Sequence, residues 1–191
     1  MLSVMPERGL RLALEVGQVL PINLCWRVNE GYLRATGKSD HAEAFTLGIW
    51  GPGEIVMPQL LSLQPVELRA LSAASVHAWD PDSEEQQSCS STQIRQMGML
   101  LQLTRIRPVE TRLFHLLIWL SERFGTSTGE GRIIPLEAMN LTHRQLAEMA
   151  SVSRVSVTKA LGQFRQQGWL QRWEDNDVLS HDAITIFQRE A

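Results

Sequence analysis

Residues 141–168, LTHRQLAEMASVSRVSVTKALGQFRQQG, constrain the fold of this chain more than any other stretch. Thr142 followed three residues later by Gln145 spells a capping box, in which hydroxyl and amide satisfy opposite orphan donors at a helix start. Leu146, Ala147, Met149 and Ala150 then form one inward face, with the small Ala147 where a second helix must approach closely. Ser151-Val152 predicts a tight turn, and Ser153 caps a second helix. The inward residues of that helix are Val152, Val157, Ala160, Leu161 and Phe164. Arg154, Val155, Ser156, Thr158 and Lys159 point the other way. Its first half is rich in serine, valine and threonine, which are mediocre helix formers. Propensity alone therefore does not account for its composition.

Contact with a DNA groove does account for it. A recognition helix sets its first turns against base edges, where long apolar or acidic side chains are unwelcome. Arginine can bond guanine O6 and N7 together, valine can touch a thymine methyl, and small hydroxyls can bond phosphate. The competing explanation is an amphipathic core helix with a solvated basic face. Charge distribution favours the groove. The net charge of the chain is −3. Residues 1–104 hold 7 Lys/Arg against 11 Asp/Glu, whereas residues 105–191 hold 11 against 10. Within 143–172, Arg144, Arg154, Lys159, Arg165 and Arg172 face the single acid Glu148. Local positive charge of this kind is a nucleic-acid footprint. The following segment, GWLQRWEDNDVLSH, predicts two short strands around a polar turn at 174–177, and DAITIFQRE a closing helix.

The first 80 residues have a different texture. Short apolar, β-branched segments (LRLALEVGQVLP, LCWRVNEGYLRAT, AFTLGIWGPGEIV, ELRALSAASVHAWD) are punctuated by Gly17, Gly31 and Gly51-Pro52-Gly53, which predicts a sandwich or barrel of short strands. The polar, acidic stretch 80–92 predicts a loop closing that domain. Ile94, Met97, Leu101 and Thr104 then recur three and four residues apart, a helical stripe of coiled-coil spacing that ends before Pro108. VETRLFHLLIWLSERFG predicts a second amphipathic helix over 109–125, with Gly125 as its C′ residue. No apolar run is long enough to span a bilayer and no secretory signal is evident, which points to a cytoplasmic protein with no membrane partner. Cys25 and Cys89 are the only cysteines, and they read as reduced, structurally incidental thiols.

Taken in order, RPVETRLFHLLIWLSERFG, NLTHRQLAEMASVSRVSVTKALGQFRQQGWL and the glycine-punctuated N-terminal half resemble the cyclic-AMP receptor protein / fumarate-nitrate regulator (Crp/Fnr) superfamily of bacterial transcription factors. The recognition segment is most similar to its cyanobacterial nitrogen-control branch. The resemblance implies an α+β fold: a shortened, cyclic-nucleotide-binding-like jelly-roll β-barrel over 1–91, a dimerisation helix over 92–107, and a winged helix-turn-helix over 108–191. It implies a sequence-specific transcriptional regulator that binds double-stranded DNA as a homodimer on a near-palindromic site through residues 153–167. RNA polymerase is the further partner it suggests. Ile94, Met97, Leu101 and Thr104 would make the dimer contact. Thr142, His143, Arg144, Ser153, Arg154, Val155, Ser156, Thr158 and Lys159 would form the DNA-binding set, with His143 and Arg144 near phosphate. Val155 stands where the cyclic-AMP branch has an acid that accepts from cytosine, so a different half-site is expected. Ser151 stands where the family usually has glycine in the turn.

The sensory half departs from the cyclic-nucleotide pattern. Met57-Pro58-Gln59 replaces the Gly-Glu-Leu segment, no Arg-Ser pair occurs, and Arg69 lies past the expected position. A phosphate without its arginine lacks the charge-assisted pair that would hold it, so cyclic AMP is not expected. An iron–sulfur cluster needs four cysteine ligands and only two cysteines are present. A haem would need an axial ligand such as His77, Cys25 or Cys89, and His77 reads more simply as a hydrogen-bonded barrel histidine. His41 and Glu43 form a possible metal pair without a third ligand. The histidines are scattered, with His115 and Trp119 explained by helix packing, and no nucleophile elbow, P-loop or dinucleotide fingerprint is present. An enzyme is not expected. The alternatives left open are a winged-helix protein-interaction module and a regulator that needs no small-molecule effector.

Overall fold

The computed structural model describes residues 9–39, 42–61, 66–174 and 176–189. His41 and the Glu43 side chain, the candidate metal pair, lie outside the described residues. The chain divides into two compact units, Met1–Met99 and Leu100–Ala191.

Among the described residues the first unit contains eight strands: β1 (Arg11–Leu14), β2 (Val19–Leu20), β3 (Cys25–Glu30), β4 (Leu33–Ser39), β5 (Ala42–Trp50), β6 (Ile55–Val56), β7 (Val66–Ala70) and β8 (Ala74–Trp79). They form two antiparallel four-stranded sheets of order β1-β8-β3-β6 and β2-β7-β4-β5. The inward residues of both sheets share one buried cluster, among them Trp26, Val28, Leu33, Leu47, Trp50, Leu68 and Val76. The expected jelly-roll is thus a two-sheet sandwich, and no closed barrel forms among the described residues. Alternation explains the core: β8 buries Ala74, Val76 and Ala78 and turns Ser75, His77 and Trp79 outward. Gly31 is required at its turn, since φ is +77° and a Cβ would lie 2.2 Å from the Ala73 carbonyl oxygen.

The polar stretch expected as a loop is a helix. α1 runs Ser83–Leu103, so it starts before residue 92 and ends before residue 107. The Asp82 carboxylate accepts from the Glu84 and Glu85 amides at 3.0 and 2.8 Å, and both glutamates complement the positive end of the helix dipole. Glu85 also accepts from the Trp79 indole at 3.0 Å and pairs with Arg27 at 3.4 Å, tying the first turn to the sandwich. Further along, the buried Gln93 and Gln96 face β5, the edge strand of its sheet. Gln93 donates to the Leu47 carbonyl at 3.0 Å and Gln96 accepts from the Ile49 amide at 2.9 Å. Side chains of α1 thereby take up backbone groups that an edge strand leaves unpaired.

The second unit contains α2 (Val109–Phe124), β9 (Gly131–Ile134), α3 (His143–Ala150), α4 (Arg154–Gln166), β10 (Leu170–Trp173), β11 (Asn176–Ser180) and α5 (His181–Arg189). Its sheet has the order β10-β11-β9. Gly125 ends α2 as expected, but for a different reason. Its φ is −97°, not left-handed, and a Cβ there would sit 1.8 Å from the Ile133 carbonyl oxygen. Close backbone approach excludes any side chain. An aromatic core joins α2, α4 and α5: Phe114 stacks on Phe187 at 4.1 Å and meets Phe164 edge-on at 5.1 Å, with Trp169 edge-on to Phe187 at 5.1 Å.

Candidate nucleic-acid interface

α3 and α4 form a helix-turn-helix whose local geometry follows from its sequence. The Thr142–Gln145 capping box is complete: the Gln145 amide donates to the Thr142 hydroxyl at 3.2 Å, and the Thr142 amide donates to Gln145 Oε1 at 2.8 Å. Leu146, Ala147, Met149 and Ala150 are buried, as are Val157, Ala160, Leu161 and Phe164 of α4. Val152 is half-buried. The Val152 amide donates back to the Ala147 carbonyl at 3.0 Å, closing the turn. Ser151 sits in the left-handed region at φ 51°, ψ 53°, where an L-residue costs about 1–2 kcal/mol. Ser153 caps α4, its hydroxyl accepting from the Ser156 amide at 3.0 Å.

The outward side chains are not equivalent. Arg154, Val155 and Lys159 are exposed, Val155 at 63%. Among the described residues neither the Arg154 guanidinium nor the Lys159 ammonium has a hydrogen-bond or ion-pair partner. Ser156 is half-buried, and its hydroxyl lies 2.9 Å from that of Ser153. Thr158 donates to the Arg154 carbonyl at 3.1 Å, and its hydroxyl lies 2.9 Å from His143 Nδ1, which fixes the start of α3 against α4. Thr142 is occupied in its own capping box.

Three of the five cations in the basic stretch are paired. Arg144 meets Glu148 at 3.0 Å, and Arg165 meets the buried Asp177 at 3.5 Å. Arg172 bonds Glu137 and lies 3.8 Å from Asp177. The sequence window looked nearly free of acid because Glu137 and Asp177 enter from outside it. The free positive charge is thereby concentrated on the first turns of α4. Arg107 adds to it: an open recess of about 620 Å³ is lined by Arg107, Pro108, Val109, Glu110, Ser156 and Lys159. Arg107, just before the proline that precedes α2, is not among the site residues expected from the sequence, and it lines this recess.

β10 and β11 form the expected wing, with Arg172 opposite Asp177 and Trp173 opposite Asn176. On α1, Ile94, Met97 and Leu101 are exposed at 72%, 37% and 64%, an unpartnered apolar stripe. Thr104 falls just beyond the helix end and donates to the Leu101 carbonyl at 2.7 Å. In the sandwich, His77 Nδ1 lies 2.9 Å from Asn29 Oδ1 and its ring meets Trp79 edge-on. Arg69 donates to Glu67 and to the Gly17 carbonyl, each at 2.9 Å. Burial pushes the thiol pKa values of Cys25 and Cys89 up from the ordinary value. No cluster of three or more potential metal-ligating side chains occurs among the described residues, and no described helix is long and apolar enough to cross a membrane.

A helix-turn-helix followed by a β-hairpin wing, and preceded in the chain by a two-sheet sandwich and a long helix, is the architecture of one class of bacterial regulator. Residues 111–191 match the family model of the Crp-like helix-turn-helix domain. The regulatory protein CysR of Synechococcus elongatus is 35% identical over 165 residues, covering 86% of this chain and 80% of CysR. A CRP-like cAMP-activated global transcriptional regulator of Mycobacterium tuberculosis is 29% identical over 150 residues, covering 75% of this chain and 63% of that protein. Among solved structures, FixK2 from Bradyrhizobium japonicum aligns with TM-score 0.74 at 13% identity, covering 94% of this chain and 96% of FixK2. A CRP/FNR-family regulator from Thermus thermophilus aligns with TM-score 0.68 at 18% identity, covering 94% and 96% of the two chains. The chain belongs to the Crp/Fnr family and is a transcriptional regulator of that type.

Proposed function

We propose that the protein binds a near-palindromic DNA site as a homodimer, with the first turns of α4 in the major groove. The unpaired Arg154 and Lys159 flanking the exposed Val155 carry this reading. Arg154 would bond a guanine, Val155 would pack on a thymine methyl, and Lys159 would extend the same edge. Thr142, His143, Arg144 and Ser153 lie at the starts of the two helices, where backbone contacts set register. Ser156 and Thr158 serve mainly to hold the two helices in place. The exposed stripe of Ile94, Met97 and Leu101 is the dimer seam, and its near-heptad spacing suits a paired helix. The domain organisation that goes with this reading is a sensory sandwich, a dimer helix and a winged helix, in the cytoplasm, with RNA polymerase as a downstream partner.

A second reading concerns control. The packed interior around Trp26 and Trp50, together with the engaged Arg69, favours a regulator set by its own abundance or by a protein partner over one activated by cyclic AMP. Selection of bound duplexes from a random DNA pool tests the main proposal. Enrichment of a palindrome is the expected result, and failure to enrich any motif would overturn it.

A further inference from the structure

Of the described residues in the second unit, two charged ones are buried, Asp177 and Arg112, and Arg112 lies in the first turns of α2. The residue is 6% exposed, in a helix whose other buried positions are mostly leucine and aromatic. A guanidinium so placed ordinarily has a carboxylate partner, because an unpaired buried charge is expensive. Among the described residues Arg112 has none. Three of its five N–H donors go to backbone carbonyls: Nε donates to Ile106 at 3.1 Å, and Nη1 donates to Ala150 at 3.0 Å and to Ser151 at 3.1 Å. Burial and the nearby Arg107 push its pKa down from the ordinary arginine value.

The three acceptors are not a random set. Ala150 is the last residue of α3 and Ser151 is its left-handed cap, so both carbonyls sit at the negative end of that helix. Ser153, two residues on, is the N-cap of α4. Ile106 belongs to the segment between α1 and α2. One planar fork therefore ties the α1–α2 connection, the first turns of α2 and the strained turn that launches α4. Lysine carries its three donors on one compact nitrogen and cannot span these carbonyls with the spacing of a planar fork.

We infer that Arg112 is a positioning residue for sequence recognition, holding the Ser151 turn so that the first turns of α4 keep the orientation in which they read bases. This rests on the DNA-binding reading above. The guanidinium itself is buried behind the turn and need not touch DNA.

The test uses the full chain and the palindrome that the unaltered protein enriches from random DNA. If no palindrome is enriched, the DNA-binding proposal fails, a result separate from those that follow. Affinity for that duplex and for a scrambled duplex is then measured for Arg112→Lys, alone and combined with Ser151→Gly. The expected result is a loss of about tenfold or more for the palindrome, with the scrambled duplex and the salt slope little changed. Ser151→Gly should restore most of the lost discrimination, because glycine adopts the left-handed turn without being held there. A merely structural arginine would lower both affinities together and would not be rescued at residue 151. Either that pattern or unchanged discrimination would overturn the inference. Should Arg112→Lys fail to fold, the unaltered protein still decides by NMR. The Arg112 Nε–H should be protected from solvent exchange both free and DNA-bound, and rapid exchange in the bound state would contradict the assignment.

Discussion

Arg154 and Lys159 differ from the other cations around them in having been left without acids, and the difference is tertiary. Arg165 and Arg172 are drawn to Asp177 and Glu137, whereas the cations at the start of α4 pair with no carboxylate among the described residues. Charge that is free, exposed and grouped at one helix start is suited to a polyanion in a way that the same number of paired charges is not. Between the two cations, Val155 exposes a branched apolar side chain that folding does not need. Such a residue fits a surface that meets a thymine methyl better than one that meets water. Replacing Arg154 with alanine should relax selectivity at one symmetric pair of base positions, by about 1–3 kcal/mol for each half-site. Repeating the DNA selection with Arg154→Ala measures this, and an unchanged motif would remove Arg154 from the reading edge.

At the scale of elements, α1 shows how much depends on side chains reaching backbone. Gln96 supplies the acceptor for the Ile49 amide on the edge of β5, and Gln93 supplies a donor two residues away. Gln96→Ala leaves that amide buried and unpaired, which should cost about 1–3 kcal/mol in urea unfolding of the full chain. A surface helix position would lose a few tenths, and that result would show that water replaces the glutamine. The same helix marks where the sequence was legible and where it was not. Caps at Thr142 and Ser153, the strand segments between glycines, and the inward face of α4 were readable because each depends on neighbours a few residues apart. The start of α1 was not, since residues 83–92 are polar and carry no apolar period. What makes them helical is the Asp82 cap and the contacts of Glu85 with Trp79 and Arg27, from other elements. The ion pairs of Arg165 and Arg172 were hidden for the same reason: their partners come from β11 and from beyond β9.

Over the whole molecule, two surface features stand out: an apolar stripe on α1 and a free cationic edge on α4. Neither is explained by the folded monomer, and both are explained by a symmetric pair of chains on a duplex. An isologous dimer presents its recognition helices with one fixed separation, so the half-sites must recur about one helical turn, roughly 34 Å, apart. Phosphate neutralisation by both copies should also make affinity fall steeply with salt. Spacing is the sharper consequence, because it depends on both features together. The direct measurement is binding to the selected palindrome and to the same duplex with about five base pairs inserted at its dyad, half a helical turn. The account predicts that the insertion reduces affinity to that of scrambled DNA. Undiminished binding to the lengthened site would contradict a dimer that reads two half-sites through paired α4 helices.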